Sequence, residues 1–484
     1  MTQSRRNLSA SALLLALACW AAQAQQPAQA PVPAPPPAAG APAGPATAAQ
    51  PGTVAPGTPG GAGAAGANGT TITIVMPDGS SRAQIVLAVP PPANLAALQG
   101  TAGNAARTLD QTLRRDLDKS GIFRLQEADE LAVLTLTGDL AHDADQYRSL
   151  GAEMLLANEI KQDGDRLVIE GRLIDLASRQ PIVGKRYRGT FDLARRIAHT
   201  FADEIILYLT GKRGVALTSI AFSSDRDGEK EIYLMDYDGY DQRRITGHRS
   251  ISMSPAWSPT GDVLSYVSFF GGEGPAIYLA DILSGRKSPV VTSGSLNTSP
   301  TFSPDGRRLA FARGLGANIE IFTCRRDGSE LRQLTSSPGI DTNPAWSPNG
   351  NEIAFTSSRS GSPQIYVVDA EGTNLRRVTF DGDYNDGAAW SPDGTRIAYS
   401  TRAQQNRFDL SLVDLVTLAT QRLTDGGGSN ESPAFSPDGR RIAFSSTRAG
   451  GVQIFVMEAR FGAPAEQLTF AGANRAPDWS GYLP

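Results

Sequence analysis

Histidines are the first side chains to consider for chemistry in this sequence, because imidazole readily exchanges protons near neutral pH. There are three, His142, His199 and His248. His199 and Asp203 are four residues apart, so a helix would place them on one face, where they could form a proton relay. A solvated or network-forming polar pair near a helix end has the same spacing, and we favour that interpretation.

Other catalytic and metal-binding patterns are missing from the sequence. It has no His-Glu-x-x-His, no Gly-x-Ser-x-Gly and no cysteine pair spaced to bind zinc. Its many turn aspartates are not spaced as calcium loops. The formal net charge of -4 is small for 484 residues and argues against nucleic-acid binding, which needs a basic face. The sequence therefore predicts no catalytic residue, no metal and no other cofactor.

A repeat of 44 or 45 residues positions most of the remaining polar side chains. Each repeat has an aromatic anchor followed by Ser, and in the first five a β-type triplet such as Ile353-Ala354-Phe355 begins seven residues after the anchor. Two further short strands follow, separated by turn residues such as Asp-Gly. Four short strands per period predict the blades of a β-propeller. The anchors are Trp257, Phe302, Trp346, Trp390, Phe435 and Trp479.

The two ends of the repeat region determine the number of blades. Ile220-Ala221-Phe222 copies the second strand without an anchor before it, and Trp479 is an anchor without a second strand after it. We expect these two halves to complete one composite blade beside five whole ones. The prediction is a closed six-bladed ring with no unpaired sheet edge at the closure.

Four segments are predicted along the chain. Residues 1–24 have the features of an export signal that is cleaved near Ala24, with the Sec route favoured over the twin-arginine route. Residues 25–69 are rich in Pro, Ala and Gly and predict a disordered linker. Residues 70–214 alternate strand and helix patterns and predict an α/β domain. Residues 215–484 hold the predicted six-bladed propeller, which is WD40-like in its repeat.

The loops that enter the innermost strands are small, polar and mildly acidic. A polar rim of this kind suits the docking of a protein partner. Any propeller also needs polar loops at its rim, so both interpretations stay open on these residues alone. The loops are Ser252–Ser254, Asn297–Ser299, Asp341–Asn343, Asn385–Gly387, Asn430–Ser432 and Asn474–Ala476.

The repeat resembles a propeller repeat shared by the TolB family and the prolyl-oligopeptidase group, as in Pro344-Ala345-Trp346-Ser347-Pro348. Three further segments are similar to the TolB family in particular. Arg196–Gly214, which runs into the first propeller strand, looks like that family's junction between domains. Asp236–Tyr240 and Met253–Trp257 look like its first blade. The resemblance covers Thr70–Pro484.

This resemblance implies a non-enzymatic periplasmic component of the Tol–Pal system, which supports outer-membrane integrity and cell division in Gram-negative bacteria. It implies two partners, the lipoprotein Pal at one mouth of the propeller and TolA at Thr71–Ser81. We also expect a monomer, with other outer-membrane or periplasmic proteins as further partners. The alternative is a propeller-containing hydrolase or lyase, for which only His248 lies near the predicted channel.

The candidate partner contacts come from the family match and from loop position. At position 296 this sequence has leucine where the family has a histidine. The candidate Pal contacts are Leu296, Asn297, Thr298, Ser299, Asp341, Thr342, Asn343, Asn385, Asn430 and Glu431. The candidate TolA contacts are Thr71, Ile72, Thr73, Ile74 and Val75.

Overall fold

The structure is a computed structural model that describes residues 84–137, 139–271 and 274–483. The predicted signal peptide, the predicted linker and the candidate TolA contacts lie outside the described residues. Within the described ranges, no helix has both the length and the apolar character needed to cross a lipid bilayer.

A mixed five-stranded sheet with helices forms the first part of the described chain. Its strands are β1 (Ile85–Ala88), β2 (Phe123–Leu125), β3 (Met154–Asp163), β4 (Arg166–Asp175) and β5 (Gln180–Thr190). Its helices are α1 (Gly100–Lys119), α2 (Ala128–Ala132), α3 (Leu140–Ser149) and α4 (Ala194–Thr210). The sheet order is β2-β1-β3-β4-β5, in which β1 is parallel to both neighbours and the remaining pairs are antiparallel.

Helices α1 and α4 share one hydrophobic core with this sheet. Leu109, Leu113 and Leu117 recur at helical spacing along α1 and are fully buried, together with Phe201 of α4. Helix α4 ends where Gly211 takes a left-handed conformation with φ 69°, which glycine adopts without a steric penalty. The apolar faces of these two helices therefore pack against the sheet and against each other.

Six four-stranded antiparallel sheets follow, and they form the blades of a propeller. Blade 1 contains β6 (Ser219–Ser224), β7 (Glu231–Asp236) and β8 (Arg243–Arg244). Blade 2 contains β9 (Ser252–Trp257), β10 (Val263–Ser268), β11 (Ala276–Asp281) and β12 (Lys287–Val291). Blade 3 contains β13 (Asn297–Phe302), β14 (Arg308–Leu315), β15 (Asn318–Arg325) and β16 (Arg332–Gln333).

The second half of the ring repeats this arrangement. Blade 4 contains β17 (Asp341–Trp346), β18 (Glu352–Ser357), β19 (Gln364–Asp369) and β20 (Arg376–Arg377). Blade 5 contains β21 (Asn385–Trp390), β22 (Arg396–Arg402), β23 (Phe408–Asp414) and β24 (Thr420–Arg422). Blade 6 contains β25 (Asn430–Phe435), β26 (Arg441–Ser446), β27 (Gln453–Glu458) and β28 (Glu466–Gln467), and β29 (Asn474–Trp479) completes the ring.

The ring closes through the composite blade. Strand β29 pairs antiparallel with β6, with Trp479 opposite Ile220. The indole nitrogen of Trp479 donates to the Thr218 hydroxyl at 2.8 Å, and the backbone nitrogen of Ser219 donates to the Ser480 hydroxyl at 3.0 Å. The prediction of an α/β domain followed by a six-bladed propeller is confirmed.

The repeated aromatic anchor joins each blade to the one before it. Trp346 of blade 4 lies in one buried cluster with Ala310 and Ile321 of blade 3 and with Phe355 of its own blade. After five of the six anchors, a Ser-Pro-x-Gly segment turns the innermost strand into the second strand. In blade 3 the Gly306 nitrogen donates to the Ser303 carbonyl at 2.8 Å to close this turn.

Candidate partner-binding site

All candidate Pal contacts except Leu296 lie at the starts of the innermost strands, not in loops before them. Strands β13, β17, β21 and β25 begin with Asn297, Asp341, Asn385 and Asn430, respectively. The innermost strands contact one another around the ring, so these starts meet at one end of it, which we call the mouth. Leu296 lies one residue before β13 and is half-buried.

A β-bulge interrupts every innermost strand at this end. In blade 4, for example, the pairing between β17 and β18 shifts register between Thr342 and Ala345, and the same shift recurs in the other five blades. The third residue of each strand has a positive φ of 49° to 68°. These residues are Ser254, Ser299, Asn343, Gly387, Ser432 and Ala476.

The bulges place strain at the mouth. A left-handed conformation costs a residue other than glycine about 1–2 kcal/mol, and five of the six bulge positions are not glycine. Such strain persists only where surrounding contacts impose it, and it often marks a functional surface. Sequence reasoning missed the bulges, because Gly387 is the single glycine at these positions and therefore the single signal for them.

The first residue of each of these four strands is fully buried. Asn297, Asp341, Asn385 and Asn430 each have 0% exposure. Asn385 shows why, because its amide donates at 2.8 Å both to the Gln364 side chain and to the Asp381 carbonyl. This differs from the expectation of an exposed loop. A polar side chain is ordinarily expected in solvent, but here the amide nitrogen of Asn385 is hydrogen-bonded to the preceding blade and anchors the strand.

The residues that follow remain accessible at the mouth. Thr298, Ser299, Thr342, Asn343 and Glu431 are half-buried. A line of hydrogen bonds joins three blades, because the Ser299 hydroxyl donates to Asn343 at 2.7 Å and the Asn343 amide donates to Asp386 at 2.8 Å. These contacts order the polar side chains of the mouth, and an ordered surface has a lower entropic cost of binding than a flexible one.

Asp341 is the one carboxylate among the buried first residues. Arg359 donates to it at 2.6 Å, in the same way that Arg448 donates to Asn430 in blade 6 at 2.8 Å. Burial raises the pKa of Asp341 to about 6, and the nearby Glu320 carboxylate adds to this effect, whereas hydrogen bonds and Arg359 oppose it. The mouth therefore contains a carboxyl group that titrates near neutral pH, next to the candidate contact Thr342.

His248, the histidine expected near the channel, lacks the partner that catalysis would need. Its Nε2 lies 3.1 Å from the Tyr266 hydroxyl, and its ring stacks on Phe270 with 4.5 Å between ring centres. Burial lowers its pKa, which favours the neutral imidazole. These contacts are those of a packed aromatic residue.

His199 and Asp203 do not form a hydrogen-bonded pair. The Nδ1 of His199 lies 2.7 Å from Asp116 of α1, whereas Asp203 accepts from the backbone nitrogens of Ala216 at 3.0 Å and Leu217 at 3.2 Å. The Tyr237 hydroxyl donates to the other Asp116 oxygen at 2.6 Å. His199 is thus part of a buried polar network between the α/β domain and blade 1.

Arg195 excludes a metal ion from this network. His199, Asp236 and Asp238 have ligand atoms close enough to hold a cation, and they are the one such group in the part of the chain that the structure describes. The Arg195 guanidinium already donates to Asp238 at 2.8 Å and to Asp236 at 3.2 Å. Burial alone would lower the pKa of His199, but hydrogen bonds to Asp116 and Asp236 raise it to about 9. The Arg195 guanidinium, whose Nη2 also lies 3.1 Å from His199 Nε2, therefore occupies the place that a metal ion would take.

Two family models match the chain. That of the TolB amino-terminal domain matches residues 72–182, and that of the TolB beta propeller domain matches residues 207–418. A solved structure, TolB from Acinetobacter baumannii, matches with a TM-score of 0.71 and 26% identity, covering 83% of this chain and 97% of that one.

Curated relatives match over shorter stretches. The TolB homolog of Chlorobium chlorochromatii is 34% identical over 50% of this chain and 54% of its own length. The Tol-Pal system protein TolB of Desulfosudis oleivorans is 38% identical over 41% of this chain and 44% of its own length. The chain thus spans about half the length of the curated relatives that it matches.

Proposed function

We propose that this chain, which belongs to the TolB family, is a non-enzymatic periplasmic component of a Tol–Pal system that binds other proteins at the mouth of its propeller. The observation that carries the proposal is the ring of six bulges, five of them at strained residues other than glycine, around a polar, half-buried mouth. Strain of this kind is expected where a surface is held ready for a ligand. His248, the histidine expected near the channel, contacts the Tyr266 hydroxyl and stacks on Phe270, and no carboxylate is hydrogen-bonded to it within the described residues.

The partner proposed for the mouth is the lipoprotein Pal. Thr298, Ser299, Thr342, Asn343 and Glu431 would make the contacts, and Leu296 would border them. The buried Asn297, Asp341, Asn385 and Asn430 would hold the strands in place beneath them. Complementary polar contacts with an ordered surface suit a specific and reversible protein complex.

The experiment is a calorimetric titration of Pal into the full chain and into Thr342→Arg. An arginine at this half-buried position would collide with a docked partner, so binding is expected to weaken at least tenfold. Thr373→Arg is the matched control, because Thr373 is exposed in the same blade at its other end. Equal affinity of the wild type and Thr342→Arg would refute the placement of Pal at the mouth.

The proposed second partner is TolA, at the segment Thr71–Ser81. Binding of both partners would let the protein link inner-membrane and outer-membrane components, in support of envelope integrity and cell division. Deleting residues 71–81 is expected to abolish TolA binding and to leave Pal binding measurable. Retention of TolA binding by the deletion variant would contradict this assignment without affecting that of Pal.

A further inference from the structure

Blade 5 has a serine where the other five blades have an aromatic ring. In each of those five blades, an aromatic residue of the second strand stands opposite an aromatic residue of the third strand. The centres of the two rings are 5.8–6.2 Å apart. In blade 5 the residue opposite Tyr399 is Ser411. The aromatic third-strand residues are Tyr233, Tyr278, Phe322, Tyr366 and Phe455.

Tyr399 therefore has no ring to pair with. Within the part of the chain that the structure describes, it is the one second-strand aromatic residue that contacts no other ring. Tyr384 and Phe408 form a ring pair of their own nearby, with centres 5.3 Å apart, and neither lines the space beside Ser411. The place that a third-strand ring takes in the other blades is thus not taken by a ring here.

A pocket of about 780 Å³ lies at this place in blade 5. Tyr399 and Ser411 line it and are each 1% exposed, so they form its inner wall. The exposed residues Asp381, Gln404 and Arg407 border its opening. The buried Ser411 hydroxyl has no partner in hydrogen-bond geometry, although the Tyr399 hydroxyl lies near it. A ligand with a polar tip would supply the hydrogen bond that such a buried group needs.

The charges around the pocket neutralise one another. The Arg422 guanidinium pairs with Asp409 at 2.6 Å and with Asp425 at 3.3 Å. Arg402 pairs at 3.6 Å with Asp383, which lies outside the lining. There is no surplus of positive charge for an anion, so an uncharged ligand fits the pocket best. The charged residues of the lining are Asp381, Asp409, Asp425, Arg402, Arg407 and Arg422.

We propose that this pocket binds the side chain of a tyrosine from another protein. Its ring would stack on Tyr399, at a separation that favours aromatic pairs. Its hydroxyl both donates and accepts hydrogen bonds, which matches the polar lining around Ser411. The Tyr266–Tyr278 pair of blade 2, with ring centres 5.8 Å apart, shows that two tyrosines fit this arrangement.

Two observations select this occupant over other uncharged groups. Arginine lies over both rings of the pair in blades 1, 4 and 6, and guanidinium groups also line the pocket, which favours an aromatic ring over an aliphatic side chain. A free amino acid would add an ammonium and a carboxylate to the ring. The balanced charges of the lining therefore suit a tyrosine within a polypeptide better than free tyrosine.

This inference goes beyond the proposed Pal and TolA contacts. None of the candidate Pal contacts lines the pocket. A failure here would leave the proposed function unchanged, and the reverse also holds.

The test is a ligand-observed NMR titration of the full chain with N-acetyltyrosinamide, and with N-acetylleucinamide for comparison. We expect saturable binding of the tyrosine derivative, about tenfold tighter than that of the leucine derivative. Ser411→Tyr and Ser411→Phe place the chain's own ring in the pocket, so each should weaken binding by about tenfold or more. Ser411→Ala is the matched control, because it keeps the space and should retain most of the binding.

The melting temperature gives a second measurement of the same space. Ser411→Tyr should raise the melting temperature, because its ring would stack on Tyr399 as Tyr366 stacks near Phe355 in blade 4. Ser411→Ala should change it little. A fall in the melting temperature of Ser411→Tyr would overturn the proposal, because the space would then be too small for a ring.

Four binding results would also overturn the proposal. They are no saturable binding of N-acetyltyrosinamide to the wild type, equal binding by Ser411→Tyr, equal or tighter binding of N-acetylleucinamide, and tighter binding of free tyrosine than of N-acetyltyrosinamide. The last result would assign the pocket to a free amino acid and not to a protein partner.

Discussion

Replacing Asp341 with asparagine tests whether a buried carboxyl group destabilises the mouth at neutral pH. Asp341 has 0% exposure, and its pKa is raised to about 6 from an ordinary value of 3.8. A shift of that size corresponds to about 3 kcal/mol at about 1.4 kcal/mol per pKa unit. Because the folded pKa is raised, the folded state holds its proton more tightly, so this carboxyl group lowers stability as pH rises from about 4 through about 6.

The assay is urea unfolding of the wild type and Asp341→Asn at pH 4.5 and pH 7.5. We expect the two proteins to be similar at pH 4.5 and the variant to be more stable by about 2 kcal/mol at pH 7.5. Asparagine fits here, because Asn430 occupies the corresponding position in blade 6 and accepts from Arg448 as Asp341 does from Arg359.

The reverse change provides the matched control. Asn430→Asp places a carboxyl group beside Arg448 and Asp409, which copies the surroundings of Asp341. It should lower stability at pH 7.5 more than at pH 4.5. The reasoning is refuted if Asp341→Asn is less stable than the wild type at pH 7.5, because the ion pair with Arg359 would then outweigh the cost of burial.

Two further changes test the ring closure and the contact between domains. Trp479→Ala should cost about 3–5 kcal/mol in chemical unfolding, because it empties a buried site. Phe470→Ala, an aromatic side chain 76% exposed, should cost almost nothing, and equal effects would contradict the role of the anchor. The pKa of His199 is raised to about 9. Its stabilising contribution to the free energy of unfolding should therefore be complete below about pH 6.5 and should be lost as pH rises through 9. Melting temperatures from pH 6 to 10 should therefore converge for the wild type and His199→Gln, and parallel curves would refute this.

The fold was predictable because each repeat has the same residue types at the same positions of its blade. The aromatic anchors recur at a fixed interval, and each fills the junction between neighbouring blades, as Trp346 does. The incomplete repeats at Ile220 and Trp479 then determined how the ring closes. Because equivalent residues are buried in every blade, the same apolar residues recur at a fixed spacing in the sequence. Such a fixed spacing is the clearest sign of a repeat architecture.

The candidate site was less predictable, because its chemistry depends on backbone conformation and on distant partners. Ser299 and Asn343 take left-handed conformations that their residue types do not demand. Asn385 is polar yet buried, since its partners come from the preceding blade. His199 pairs with Asp116, 83 residues away, and not with its near neighbour Asp203. Spacing along the chain contains none of these relationships.

The pairing of β29 with β6 has a consequence for how the chain folds. The hydrogen bond from Trp479 to Thr218 joins residues 261 positions apart, so ring closure is a contact of high sequence separation and is expected to be slow. Until it forms, β6 presents an open edge that accepts any matching strand. At high protein concentration, the β29 strand of a second molecule competes for the edge of β6. Dimers that form during refolding should therefore be domain-swapped, with β29 of each molecule paired to β6 of the other. Dilution before refolding should suppress them.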